Sequence, residues 1–134
     1  MVNYSRCRKL STRLYEELVK RAVHFYKVSD FDASSGRYDI ALFHLEQAVQ
    51  LALKAHLLKT LGDYPRIHSI KDLVELCENE CLRRLVDEYW YVIDILEDAY
   101  IGGRYLIRRY SIREFNAARK FVEEVFKCTG ITST

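Results

Sequence analysis

The chain has 134 residues, a length that fits one domain with its own core. Hydrophobic residues at 49% and charged residues at 30% are the balance of a folded domain, and 21 Lys plus Arg against 19 Asp plus Glu leave a net charge of only +2. That balance excludes a nucleic-acid claim made on global charge alone, so any such claim must rest on local patches.

One Pro and five Gly favour long helices over short strands and turns. No apolar run approaches the roughly 20 residues of a membrane span, and no signal-peptide pattern follows Met1. The expectation is a cytoplasmic protein with no membrane association. Residues 1–134 are expected to form a single all-α domain with its core over about 10–128.

The first predicted helix covers residues 10–31, with Leu14, Leu18, Ala22 and Phe25 spaced to share a face. The segment FDASSG at 31–36 supplies the turn chemistry that ends it. A second helix is predicted from about Arg37 to Leu61. Ala41, Leu45, Ala48, Val49, Ala52 and Ala55 form its stripe, extended by Ile40, Leu51 and Leu58. Only Glu46, Gln50 and Lys54 mark a polar face, so this helix is expected to sit centrally or between two subunits.

After the turn at Gly62–Pro65, Ser69 with Asp72 three residues on has the spacing of an N-cap and opens a short helix to about Asn79. A long helix is predicted over 81–101, with Leu82, Leu85, Val86, Tyr89, Ile93 and Leu96 inward, and Gly102–Gly103 as its stop. Ser111 with Glu114 fits a capping box for the last helix, which runs to about Cys128. Four long helices and one short one favour an antiparallel up-and-down four-helix bundle with one additional short helix. In that topology the start of helix two, the GGRYLIRR segment and the start of the last helix share one end. The Pro65–His68 turn falls at the other.

Two stretches carry a resemblance. GRYDIALFHLEQAVQLALKAHLLKTLGDYPRIHSI over 36–70, with DAYIGGRYL over 98–106, resembles the HEPN family of small helical bundles linked to nucleotides and RNA. The resemblance covers residues 10–128. It implies a homodimer, a minimal nucleotidyltransferase as partner, and a toxin–antitoxin or stress setting in which nucleotide or RNA is bound. The family's ribonuclease members place a His a few residues after an Arg in the second stretch. Here Arg104 is followed by YLIRRYSIREFN, without a His. No catalytic residue is therefore assigned. The alternatives are a metal-independent endoribonuclease with a non-standard pair, for which Arg37 and His44 have a loosely matching spacing, and a dimeric scaffold without ligand.

The candidate ligand-binding residues are Arg37, His44, Arg104, Tyr105, Arg108 and Arg109, which the bundle would gather at one end. Guanidinium groups offer forked donors to phosphate, His44 offers an imidazole, and Tyr100, Tyr105 and Tyr110 offer rings to a base. The plainer reading is a solvated loop with surface arginines, and His44 and Gln47 bonded within the bundle or across a dimer. His56 is read as a core-edge residue and His68 as fixing its turn. Asp94, Glu97 and Asp98 are read as a solvated acidic face or a brace for Arg104. Cys7, Cys77, Cys81 and Cys128 match no CxxC pattern and are read first as free thiols, with a disulfide or a four-thiolate zinc site as alternatives. No cofactor and no metal are expected.

Overall fold

The computed structural model describes residues 4–105 and 109–133, with side chains over 10–102 and 109–133. Six helices follow one another: α1 (Tyr4–Ser34), α2 (Tyr38–Leu61), α3 (Ile70–Cys77), α4 (Glu80–Glu88), α5 (Trp90–Tyr105) and α6 (Ile112–Thr129). No strand occurs among the described residues. The all-helical class holds, with six helices instead of five.

The extra helix arises because 81–101 is not continuous. Tyr89 leaves helical geometry at φ −109° and ψ 27°, yet its N–H still donates to Leu85 O at 2.8 Å and its carbonyl accepts from Ile93 at 3.0 Å. Tyr89 thus keeps both of its own helical bonds through the bend, and its buried ring packs 5.4 Å from that of Phe121. Gly102 and Gly103 do not stop α5, which runs on to Tyr105. Glycine inside a helix costs only about 1 kcal/mol against Ala, and Gly102 has no positive φ.

Side-chain caps set the other boundaries. The Ser69 side chain accepts from the Asp72 N–H at 3.2 Å, and the Ser111–Glu114 capping box is complete. Asn79 caps α4 by accepting from Leu82 at 3.0 Å, so the joint between α3 and α4 is only Glu78 and Asn79. Glu78 holds φ +48° there, the left-handed region that an L side chain enters at a cost.

The turn between α1 and α2 is a Schellman motif. Gly36, at φ +74°, donates to Ala33 O at 2.9 Å, and Arg37 donates to Asp32 O at 2.8 Å. Such a short turn lays α2 back along α1. Phe25 accordingly faces His44, and the Lys59 ammonium sits 5.7 Å from the Tyr15 ring centroid.

Leu18 and Ala22 of α1 are buried, but the face continues to Tyr26 and Ser29; Phe25 is only half-buried and Leu14 is exposed. The Tyr26 hydroxyl donates to Glu123 at 2.7 Å. Arg119 forks onto Asp30 at 2.8 and 3.1 Å, also reaches Glu123, and lies 4.8 Å from the Tyr26 ring centroid. This network ties α1 to α6. Burial, then the bond to Glu123, pushes the Tyr26 phenol up to about 12.

The core is built around α2, where Ala41, Leu42, Leu45, Ala48, Val49, Ala52, Leu53, Ala55 and Leu57 are fully buried. The expected polar face of this helix is also largely inside: Glu46 is 1% exposed and Gln50 4%. The α2–α3 connector, residues 62–69, reaches this face where the His68 carbonyl meets Gln50. It does not stay at the far end of the bundle, because its His68 ring lies 5.4 Å from that of Tyr100 in α5.

Two of the four cysteines are bonded to each other. Cys81 of α4 and Cys128 of α6 form a disulfide across 47 residues, which corrects the free-thiol reading for that pair. Cys77 is free and buried, and burial raises its thiol to about 11. Cys7 lies outside the described side chains. No helix among the described residues is long and apolar enough to cross a membrane.

Candidate functional site

The Schellman turn fixes the backbone of Asp32 at the end of α1, and His44 sits two turns into α2. Their side chains meet: His44 Nδ1 lies 2.5 Å from Asp32 Oδ2, with the two side chains 21% and 12% exposed. Asp32 therefore sets which way the imidazole faces and which nitrogen is engaged, leaving Nε2 as its other polar atom. Phe25 stacks on the same imidazole at 5.5 Å.

From there the rings continue. Phe43 lies 5.8 Å from His44, Tyr100 stacks on Phe43 at 6.2 Å and 4°, and His68 stacks on Tyr100 at 5.4 Å and 27°. Phe25, His44, Phe43 and Tyr100 are half-buried and His68 is exposed. With Phe43 and His68 both packed on it, Tyr100 has little face to offer. The accessible ring of this run is His68.

Of the residues named from sequence, His44 is in this run, and Arg37 occupies the N-cap position of α2 without a side-chain cap bond. The Arg37 guanidinium turns onto Asp39, with both contacts at 3.4 Å, not toward His44. Burial alone would raise the Asp39 carboxyl. The Arg37 side chain and the Ile40 N–H outweigh that and hold it below its usual range. Arg104 and Tyr105 occupy the last turn of α5, the turn after Tyr100, and their side chains lie outside the described residues. Arg108 lies outside them altogether, and Arg109 is exposed ahead of the Ser111 cap.

Asp32, Phe25, Phe43 and His68 carry much of the geometry and were not read as site residues. A signal for Asp32 existed: a tight turn at Gly36 obliges the last turn of α1 to face the first turns of α2. For His68 there was none, since its position depends on the path of an irregular connector.

A second cluster lies beneath that connector. Glu46 accepts from Gln47 Nε2 at 3.0 Å. The Gln50 amide lies beside the Glu46 carboxyl and donates through Nε2 to the His68 carbonyl. Glu97 of α5 accepts from the Ile70 N–H at 3.2 Å, so this carboxylate braces the start of α3 and does not belong to a solvated acidic face. Burial pushes the Glu46 carboxyl up to about 7, with Gln50 and Gln47 opposing that shift and Glu97 reinforcing it. Burial also lowers Lys54 and His56. His56 is half-buried, at the edge of the core.

Among the described residues no three His, Cys, Asp or Glu are grouped to hold a metal ion. The bonded Cys81–Cys128 pair is not available as thiolate ligands in this state.

The chain has no match among curated proteins. A family model, described as the HEPN domain, matches residues 15–131.

Proposed function

The chain belongs to the HEPN domain family, and on that premise we propose that it is a binding module for nucleotide or single-stranded RNA, working as a homodimer. The observation that carries this reading is the ring run ending in the exposed His68. An exposed ring backed by a stacked neighbour suits a base, and stacking of one base on such a ring contributes about 1–3 kcal/mol. Arginines in the turn after Tyr100 and ahead of α6 supply donors for phosphate. A minimal nucleotidyltransferase is the proposed partner, in a toxin–antitoxin or stress setting.

Calorimetric titration of mononucleotides and a short single-stranded RNA tests the reading, with His68→Ala and Arg104→Ala beside the parent protein. Each substitution should weaken binding about tenfold, the loss of about 1.4 kcal/mol, while thermal stability is nearly unchanged. Equal affinity for all three proteins would reject the surface.

A second reading has one specific observation behind it. An imidazole oriented by a carboxylate is how His acts as a general base, and Asp32 holds His44 in that way. A metal-independent endoribonuclease would use it with Arg37. The engagement of Arg37 by Asp39 weighs toward the binding reading.

A further inference from the structure

The cluster under the α2–α3 connector contains an inconsistency that a single proton resolves. Gln50 Oε1 is the one buried side-chain atom among the described residues with no hydrogen-bond partner. A buried acceptor left this way costs about 1–3 kcal/mol. Its neighbour is the carboxyl of Glu46, 1% exposed and with no ion pair. An ionised carboxylate is acceptor-only and cannot serve Gln50 Oε1; a protonated one can donate to it.

We propose that Glu46 holds a proton and donates it to Gln50 Oε1, and that this bond latches the α2–α3 connector, positioning the His68 ring on Tyr100. The donors then run in one direction. Gln47 donates to Glu46, Glu46 to Gln50, and Gln50 to the His68 carbonyl. Each bond in such a chain polarises the next. Loss of the proton reverses the logic. Without the proton the Glu46 carboxylate stands against Gln50 Oε1, acceptor against acceptor, and competes with the His68 carbonyl for the Gln50 NH2 group. The bond to the His68 carbonyl weakens, and the connector is released at that point.

The groups that act on Glu46 electrostatically are few. Glu97 faces it from α5 and disfavours its ionisation, while Lys54, two turns further along α2, favours it. The connector's titratable and charged side chains are Asp63, Tyr64, Arg66 and His68; Asp63, Arg66 and His68 are exposed, and the His68 ring packs outward on Tyr100. The side chains that α1 and α6 bury are apolar apart from Tyr26, Ser29 and Thr129. Tyr26 is bonded to Glu123, and Ser29 and Thr129 are bonded to carbonyls of their own helices. Glu97 keeps the Ile70 N–H when Glu46 ionises, so release concentrates at His68. The latch does not depend on what the ring surface binds.

The test is nuclear magnetic resonance of the full chain between about pH 6 and pH 8.5, reading the Tyr100 ring signals and the hydrogen-exchange protection at residues 67–70. In the parent protein the ring signals should move and protection should fall by up to about tenfold per pH unit above neutrality. Glu46→Gln carries a permanent donor in the same place, so protection should become insensitive to pH across the range. His68→Gln, which keeps the backbone carbonyl and removes the ring, should retain the fall in protection. Gln50→Leu, which cannot relay the bond, should show low protection at every pH. A parent protein whose protection does not respond to pH, a fall in protection surviving in Glu46→Gln, or one abolished in His68→Gln would each overturn the proposal.

Discussion

Glu46→Gln should stabilise the protein at neutral and alkaline pH and do little in acid. Burial raises the Glu46 carboxyl from its ordinary 4.5 to about 7 in the folded protein, so the folded state keeps a proton that the unfolded chain has already lost. Stability from this group is therefore complete below the unfolded value and declines as pH rises to the folded one, after which it is level. At 1.36 kcal/mol per unit, the shift amounts to about 3 kcal/mol. Glutamine has no such penalty. The gap between variant and parent should widen by about that amount from acid to slightly alkaline conditions. For a domain of this size 1 kcal/mol is about 3–4 °C in Tm, so the Tm gap should grow by about 10 °C. Circular dichroism melts of both proteins across a pH series at fixed ionic strength measure it, because every other titrating group cancels in the difference. Two Tm curves that stay parallel through the whole series would refute the reasoning, and a gap that narrows would invert it.

Two further outcomes follow from the backbone and its crosslink. Reducing the Cys81–Cys128 disulfide, or replacing Cys128 by Ser, opens a loop spanning 47 residues; by chain entropy this should lower stability by about 4 kcal/mol. Urea unfolding with and without a dithiol reads the loss directly, and equal midpoints would show that the link contributes nothing. Glu78→Gly should raise stability by about 0.5–1 kcal/mol by removing a side chain from positive φ, after the added freedom of the unfolded chain is set against it. A lower midpoint for that variant would mean the Glu78 side chain supplies more than its backbone conformation costs.

Much of the helical layout was legible because local chemistry decides it. Ser69 and Ser111 announce their helices by caps three residues long, and the Ala-rich stripe of α2 has the period of a buried helix. The bend at Tyr89 was not legible, since neither Gly nor Pro marks it and Tyr89 keeps both of its own helical bonds. Glu46 and Gln50 read as a polar face because their spacing on α2 says nothing of the His68 carbonyl that meets Gln50 or of Glu97 on α5. The path of the α2–α3 connector explains why His68 was placed at the wrong end of the bundle. A linear spacing of 47 residues likewise could not join Cys81 to Cys128. At the candidate site His44 was found, but Asp32 and the rings that orient it come from three other stretches of chain.

The central claim, that the ring surface binds nucleotide or RNA without cutting it, is tested most directly by one titration. A labelled single-stranded RNA is mixed with the purified full chain in excess chelator, and bound fraction and RNA length are read from the same samples. His68→Ala and His44→Ala are run in parallel. The account predicts bound, intact RNA, with His68→Ala binding about tenfold more weakly. Shortened RNA whose production stops in His44→Ala would contradict it and make the Asp32–His44 pair catalytic; no binding at all would remove the ring surface as a site.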